Sequence, residues 1–133
     1  MEKIVQNKPS ILIVDDDLNL LELLSQILLL HGLSADKASN GEIAFKMIQA
    51  KEYNLVITDI RMPVMTGTEL LDHIRNYQKD KKMRSRVFLM SAYTSGEILE
   101  NADALGADGF FNKPFDINCF LEKIREEFHI LPE

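Results

Sequence analysis

The sequence predicts an α/β protein: five β-strands, each followed by a helix, in one doubly wound parallel sheet covered on both faces. Three observations carry this. Short continuous apolar runs recur along the chain, beginning with Ile11–Val14; a strand buried on both faces reads this way, whereas a half-exposed strand alternates. Stretches of helical length separate the runs, so neighbouring strands cannot close as hairpins and must run parallel. The chain has 133 residues with 46% hydrophobic and 27% charged, enough for a single core in a single domain.

The elements follow in order. After Ile11–Val14, Leu18 to His31 reads as a helix stopped by Gly32. Leu33–Ala38 is a weaker second strand, and Asn40 can cap a helix to about Ala50. Leu55–Thr58 is the third strand. Thr66-Gly67-Thr68-Glu69 is a capping box that opens a helix to about Lys79. The basic stretch Lys79–Arg86 is a loop and Val87–Met90 the fourth strand. Ser95 can cap a helix that Gly106 ends, Gly109–Phe111 is a short fifth strand, and Asp116 can cap a last helix to about Phe128. The domain is expected over residues 10–128, with 1–9 as an extension and 129–133 as a natural end or a cut linker.

The net charge of −6 and pI near 5.1 argue against a nucleic-acid surface, which carries a basic stripe. Cys119, the one cysteine, cannot form an internal disulfide and is expected to be partly buried in the last helix. The start of the chain has no signal-peptide core and no apolar run exceeds four residues, far below the ~20 needed to span a membrane. These features imply a soluble, cytoplasmic chain.

Open parallel sheets bind ligands at the carboxyl ends of their strands, and the polar residues gather there. Strand one ends in Asp15-Asp16-Asp17, strand three in Thr58-Asp59, strand four in Ser91, and strand five leads to Asn112-Lys113-Pro114. Carboxylates sharing a pocket repel one another, so they protonate or enclose a cation. An all-oxygen site suits Mg²⁺. Asp17, at the start of the first helix, reads as its cap. His31, His73 and His129 are too dispersed to hold a metal.

These residues match a family. The chain resembles the receiver domain of bacterial two-component response regulators through Ile-Leu-Ile-Val-Asp15-Asp16-Asp17, Asp59-x-x-Met62-Pro63-x-Met65-x-Gly67, Met90-Ser91-Ala92 and Lys113-Pro114-Phe115. The resemblance implies a flavodoxin-like strand order of 2-1-3-4-5. It implies Asp59 as phospho-acceptor and Mg²⁺ as cofactor, held by Asp15, Asp16, Asp59 and the backbone carbonyl of Arg61. Ser91 and Lys113 take the places that contact the phosphoryl group, and the Lys113–Pro114 bond is expected to be cis. Ser91 and Phe110 take the switch places, acting on the face of the fourth helix, fifth strand and last helix. Arg61 and Tyr93 flank the phosphoryl group and are expected to tune its lifetime. The donor is expected to be phosphohistidine on a sensor histidine kinase or a phosphotransfer protein. Such a chain is a signalling switch that catalyses its own phosphotransfer and slow dephosphorylation. Residues 91–93 and 113–117 also look like sporulation-type phosphorelay receivers and the receivers of nitrogen-regulation-type activators.

Rival readings are weaker. Asp15 and Asp17 resemble the nucleophile loop of haloacid-dehalogenase-type phosphatases, but Leu18 and Asn19 stand where glycine and threonine are expected. A calcium loop using Asp15, Asp17 and Asn19 fails because Leu20 and Gln26 replace the required Gly and Glu. A receiver-like module that binds without phosphorylation would not need all the key side chains present here. In the first helix, Leu20, Leu24, Ile27 and Leu28 follow core spacing, and Leu18, Leu21 and Leu29 form a second stripe. That stripe reads equally as scattered exposed leucine or as a docking surface, for a kinase or a homodimer.

Overall fold

The computed structural model describes residues 8–92, 106–114 and 116–128. The helix expected from Ser95, together with Tyr93 and Phe115, lies outside the described residues. Five strands are present: β1 (Ile11–Val14), β2 (Ala35–Ala38), β3 (Leu55–Asp59), β4 (Arg86–Ser91) and β5 (Gly109–Asn112). Four helices are described: α1 (Leu18–Leu30), α2 (Gly41–Ala50), α3 (Gly67–Gln78) and α4 (Ile117–Phe128). The strands form one sheet of order β2-β1-β3-β4-β5, every pair parallel.

The apolar runs are buried on both faces for the expected reason. Leu12, Val14, Val56, Val87 and Leu89 pack beneath α2 and α3. Ile11, Ile13, Leu55, Ile57, Phe88 and Met90 pack beneath α1 and α4. The edge strand β2 differs: Asp36 is half-buried and accepts from the Tyr53 hydroxyl, while Lys37 is exposed and pairs with Glu22 of α1 at 2.5 Å. Charges on an edge discourage further strand pairing.

Helix ends obey local chemistry. Asp17 caps α1 by accepting the Leu20 amide, Asn40 caps α2 by accepting that of Ile43, and Thr66 and Glu69 form the reciprocal capping box of α3. Gly32 at φ +80° closes α1. Its amide donates to the Leu29 carbonyl and that of Leu33 to Leu28, the paired bonds of a Schellman stop. No helix among the described residues is long and apolar enough to cross a membrane.

Two expectations need correction. Leu21 is buried with Leu24 and Leu28, while Leu20 and Ile27 are only half-buried. The leucine arc of α1 is wider than the sheet covers, so spacing alone fits two stripes and packing selects the one through Leu21. The exposed leucines of α1 are Leu18, Leu23, Leu29 and Leu30. Cys119 is exposed, not partly buried, because Phe120, Leu121 and Ile124 take the inward face of α4.

Leu21→Ala is therefore expected to cost about 2–4 kcal/mol, whereas Leu30→Ala should stay within about 0.5 kcal/mol of the parent. Urea unfolding midpoints of the two variants check this; equal losses would contradict the facing assigned to α1.

Candidate functional site

The site is set by register. Val14 pairs with Thr58, so Asp15 and Asp59 emerge side by side from β1 and β3. Ser91 pairs with Asn112, so Lys113 leaves β5 beside the end of β4, and the Lys113 amide donates to the Ser91 carbonyl at 2.8 Å. The peptide bond between Lys113 and Pro114 is cis.

Asp15, Asp16 and Asp59 bring carboxylate oxygens within 4.8 Å of one another. Asp15 and Ser91 are each 1% exposed and Asp59 8%, while Asp16 is open to solvent. Asp15 is held on both sides: one oxygen accepts the Asp17 amide at 2.9 Å, the other the Lys113 ammonium at 2.5 Å. The same ammonium lies 3.5 Å from Asp59. Burial pushes the Asp59 carboxyl above its ordinary range and the charge of Asp15 adds to this. The charge and hydrogen bond of Lys113 oppose them without prevailing, and Asp16 raises it slightly further. For Lys113 burial acts downward, but its hydrogen bond to Asp15 and the charges of Asp15 and Asp59 lift it above its ordinary value. Ionised, three carboxylates face one ammonium, leaving the charge that a divalent cation neutralises. The donors are all oxygen, so the residues fit Mg²⁺.

The loop after Asp59 is tightly built. The Ile60 amide donates to the Met90 carbonyl and the Gly67 amide to the Ile60 carbonyl. A Cβ on residue 67 would stand 2.1 Å from the Asp59 carbonyl oxygen, so glycine is required there. Between them Val64 sits at φ +73°, with the Met65 amide donating to the Pro63 carbonyl across it. That is a γ-turn, and a β-branched residue is strained in it.

The other expected residues fall around this centre. Arg61 is exposed in the loop that follows Asp59. Phe110 is half-buried against the core beneath α2 and α3, neither free nor fully packed. Asp17 is exposed and occupied as the cap of α1, outside the acid cluster. Sequence reasoning missed the strain at Val64, since valine carries no signal for positive φ. It also missed Arg75, whose guanidinium binds the Ser85 and Gly106 carbonyls and Asp108.

A family model described as the response regulator receiver domain matches residues 11–125. The chain belongs to that family. It is similar to the sporulation initiation phosphotransferase F of Bacillus subtilis, 30% identical over 87% of this chain and 90% of the relative. It is also similar to the regulatory protein AtoC of Escherichia coli, 36% identical over 81% of this chain but only 23% of that protein. Against several other curated regulators it spans about half their length. Among solved structures, a CheY-like receiver domain protein from Methanospirillum hungatei superposes with a TM-score of 0.83 at 31% identity, covering 92% of this chain and 95% of that one. The response regulator TrrA of Thermotoga maritima, solved in complex with Mg²⁺-BeF, gives 0.77 at 35% identity, covering 89% and 97%. The chain is thus a receiver domain of two-component signalling, a switch with an acidic cluster able to hold a metal.

Because its carboxyl is raised, ionising Asp59 weakens the fold. The penalty is absent below the ordinary value of 3.8 and grows as pH rises through the raised value. Asp59→Asn should therefore be more stable than the parent at neutral pH, with the advantage vanishing below that ordinary value; urea midpoints across pH test it, and a pH-independent difference would contradict it. Val64→Gly should gain about 0.5–1 kcal/mol by relieving the positive φ, read from the same midpoints.

Proposed function

We propose that the chain accepts a phosphoryl group from a phosphohistidine onto Asp59, in a Mg²⁺ site built with Asp15, Asp16 and the Arg61 backbone carbonyl. The observation that carries this is the meeting of Asp15, Asp16 and Asp59 with one ammonium that reaches both Asp15 and Asp59. The Asp59 carboxylate forms a bond to phosphorus as the bond to the donor imidazole breaks, and the electron pair returns to the ring nitrogen. Mg²⁺, when bound, supplies positive charge to the phosphoryl oxygens. Lys113 and the Ser91 hydroxyl stabilise those oxygens from the β4–β5 side. The Mg²⁺-BeF complex of the Thermotoga relative supports this reading of the cluster.

Once Asp59 is modified, Ser91 draws toward the added group and Phe110 moves into the space released. This changes the surface of β5 and α4. Arg61 and Tyr93 shield the acyl phosphate from water. The donor is a sensor histidine kinase or a phosphotransfer protein, the receiver unit spans residues 10–128, and the chain works in the cytoplasm.

Incubation with acetyl phosphate and Mg²⁺ should label Asp59 and not Asp59→Asn. Label on Asp15 would instead establish the phosphatase reading, and no label the binding-module reading. Mg²⁺ at ten times its Kd should add about 1.4 kcal/mol of stability. Asp15→Asn should abolish that gain, measured by thermal unfolding with and without the ion.

A further inference from the structure

Strand β5 leads directly into Lys113 yet lies at an edge of the sheet, paired among the described residues with β4 alone. It is short, and its start is fastened by a side chain from α3. Arg75 donates through Nε and Nη2 to the Gly106 carbonyl at 3.3 and 2.7 Å, and through Nη1 to the Ser85 carbonyl at 2.8 Å. Its Nη2 also meets Asp108 Oδ2 at 2.8 Å, the same oxygen that accepts the Val87 amide. One guanidinium therefore joins α3, the approach to β4 and the approach to β5. The pair is mostly sheltered, with Arg75 17% and Asp108 25% exposed at the side chain.

The next residue shows why register matters. A Cβ on Gly109 would stand 2.8 Å from the Phe88 ring, so only glycine fits against Phe88. Gly109 limits what can lie there, and Arg75 adds to the attraction supplied by the Asp108 amide on the Val87 carbonyl and by Arg86 on Asp108. A slip of one residue would carry Lys113 about 3.3 Å along the strand and exchange the faces of Phe110 and Phe111. Lys113 lies only 3.5 Å from Asp59, so such a shift would break the contact.

We propose that Arg75 is a positioning residue for phosphoryl acceptance, pinning the start of β5 so that Lys113 stays within reach of Asp59. This rests on the roles given above to Asp59 and Lys113. Asp15 and Asp16 follow β1 and Asp59 ends β3, so the acids keep their places when the pin is lost. The ammonium that also pairs with Asp15 is what moves away, which slows transfer without weakening metal binding.

The test compares Arg75→Met and Arg75→Lys with the parent, at a temperature where all are folded. Arg75→Lys keeps the charge but loses the fork, and it carries the test if Arg75→Met does not fold. The rate of Asp59 labelling by acetyl phosphate should fall about tenfold in Arg75→Met and less in Arg75→Lys. Mg²⁺ affinity by calorimetry should not fall below that of the parent, because the variant takes positive charge away from the acids; a weaker affinity large enough to account for the slower labelling would overturn the proposal. In a Lys113→Ala background, Arg75→Met should cause no further loss of rate. Amides of β5 should exchange with solvent faster in Arg75→Met than in the parent. An unchanged labelling rate, or an equal loss without Lys113, would overturn the proposal. Unchanged β5 exchange would overturn it even if the parent took no label, whereas absence of label on the parent strikes the function assigned to Asp59.

Discussion

Everything in this domain is arranged around a charge imbalance: three carboxylates at one end of a parallel sheet, with one ammonium to answer them. The sheet creates the problem by delivering Asp15 and Asp59 from adjacent strands in register. The walls beneath make it acute, because both residues are almost out of water. Lys113 softens the repulsion without removing it, and Asp59 keeps a raised affinity for a proton. The cluster is thus held in a state that an arriving cation would relieve. Stability is given up locally at the acid cluster, and the cores on both sides of the sheet absorb that cost.

Much of this was legible in the sequence because the signals are local. Strands buried on both faces appear as unbroken apolar runs, and Asp17, Asn40 and the Thr66–Glu69 pair announce helix starts through short-range hydrogen bonds. Acids placed directly after strands one and three fall at the carboxyl edge in any parallel arrangement. What escaped depends on long-range packing. The inward face of α1 could not be chosen among so many leucines, since periodicity ranks directions and not neighbours. Cys119 looked half-buried until Phe120 and Leu121 claimed the inner side of α4. The positive φ of Val64 and the reach of Arg75 across the sheet leave no mark in composition or spacing.

The polar structure at the opposite end of the sheet is as ordered as the acid site. Ser85 donates to the Tyr53 carbonyl and exchanges hydrogen bonds with Gln78, all in buried surroundings. Among the described residues no buried side-chain nitrogen or oxygen lacks a partner. A fully satisfied network is rigid, so the starts of β3 and β4 share a firm base. The carboxyl edge is less completely packed, for Phe110 beside it is only half-buried.

Gly67 has a consequence for how this sequence can drift over generations. The Asp59 carbonyl fills the volume where a first side-chain carbon would stand. Every other residue type carries that carbon, so no conservative exchange exists at this position. A codon change there has no gentle path: it displaces the backbone bearing Asp59 or it reverts. The neighbouring Val64 is the reverse case, a tolerated misfit with solvent beside it and room to vary. Within a few residues the same loop therefore holds one site closed to evolutionary exploration and one left open to it.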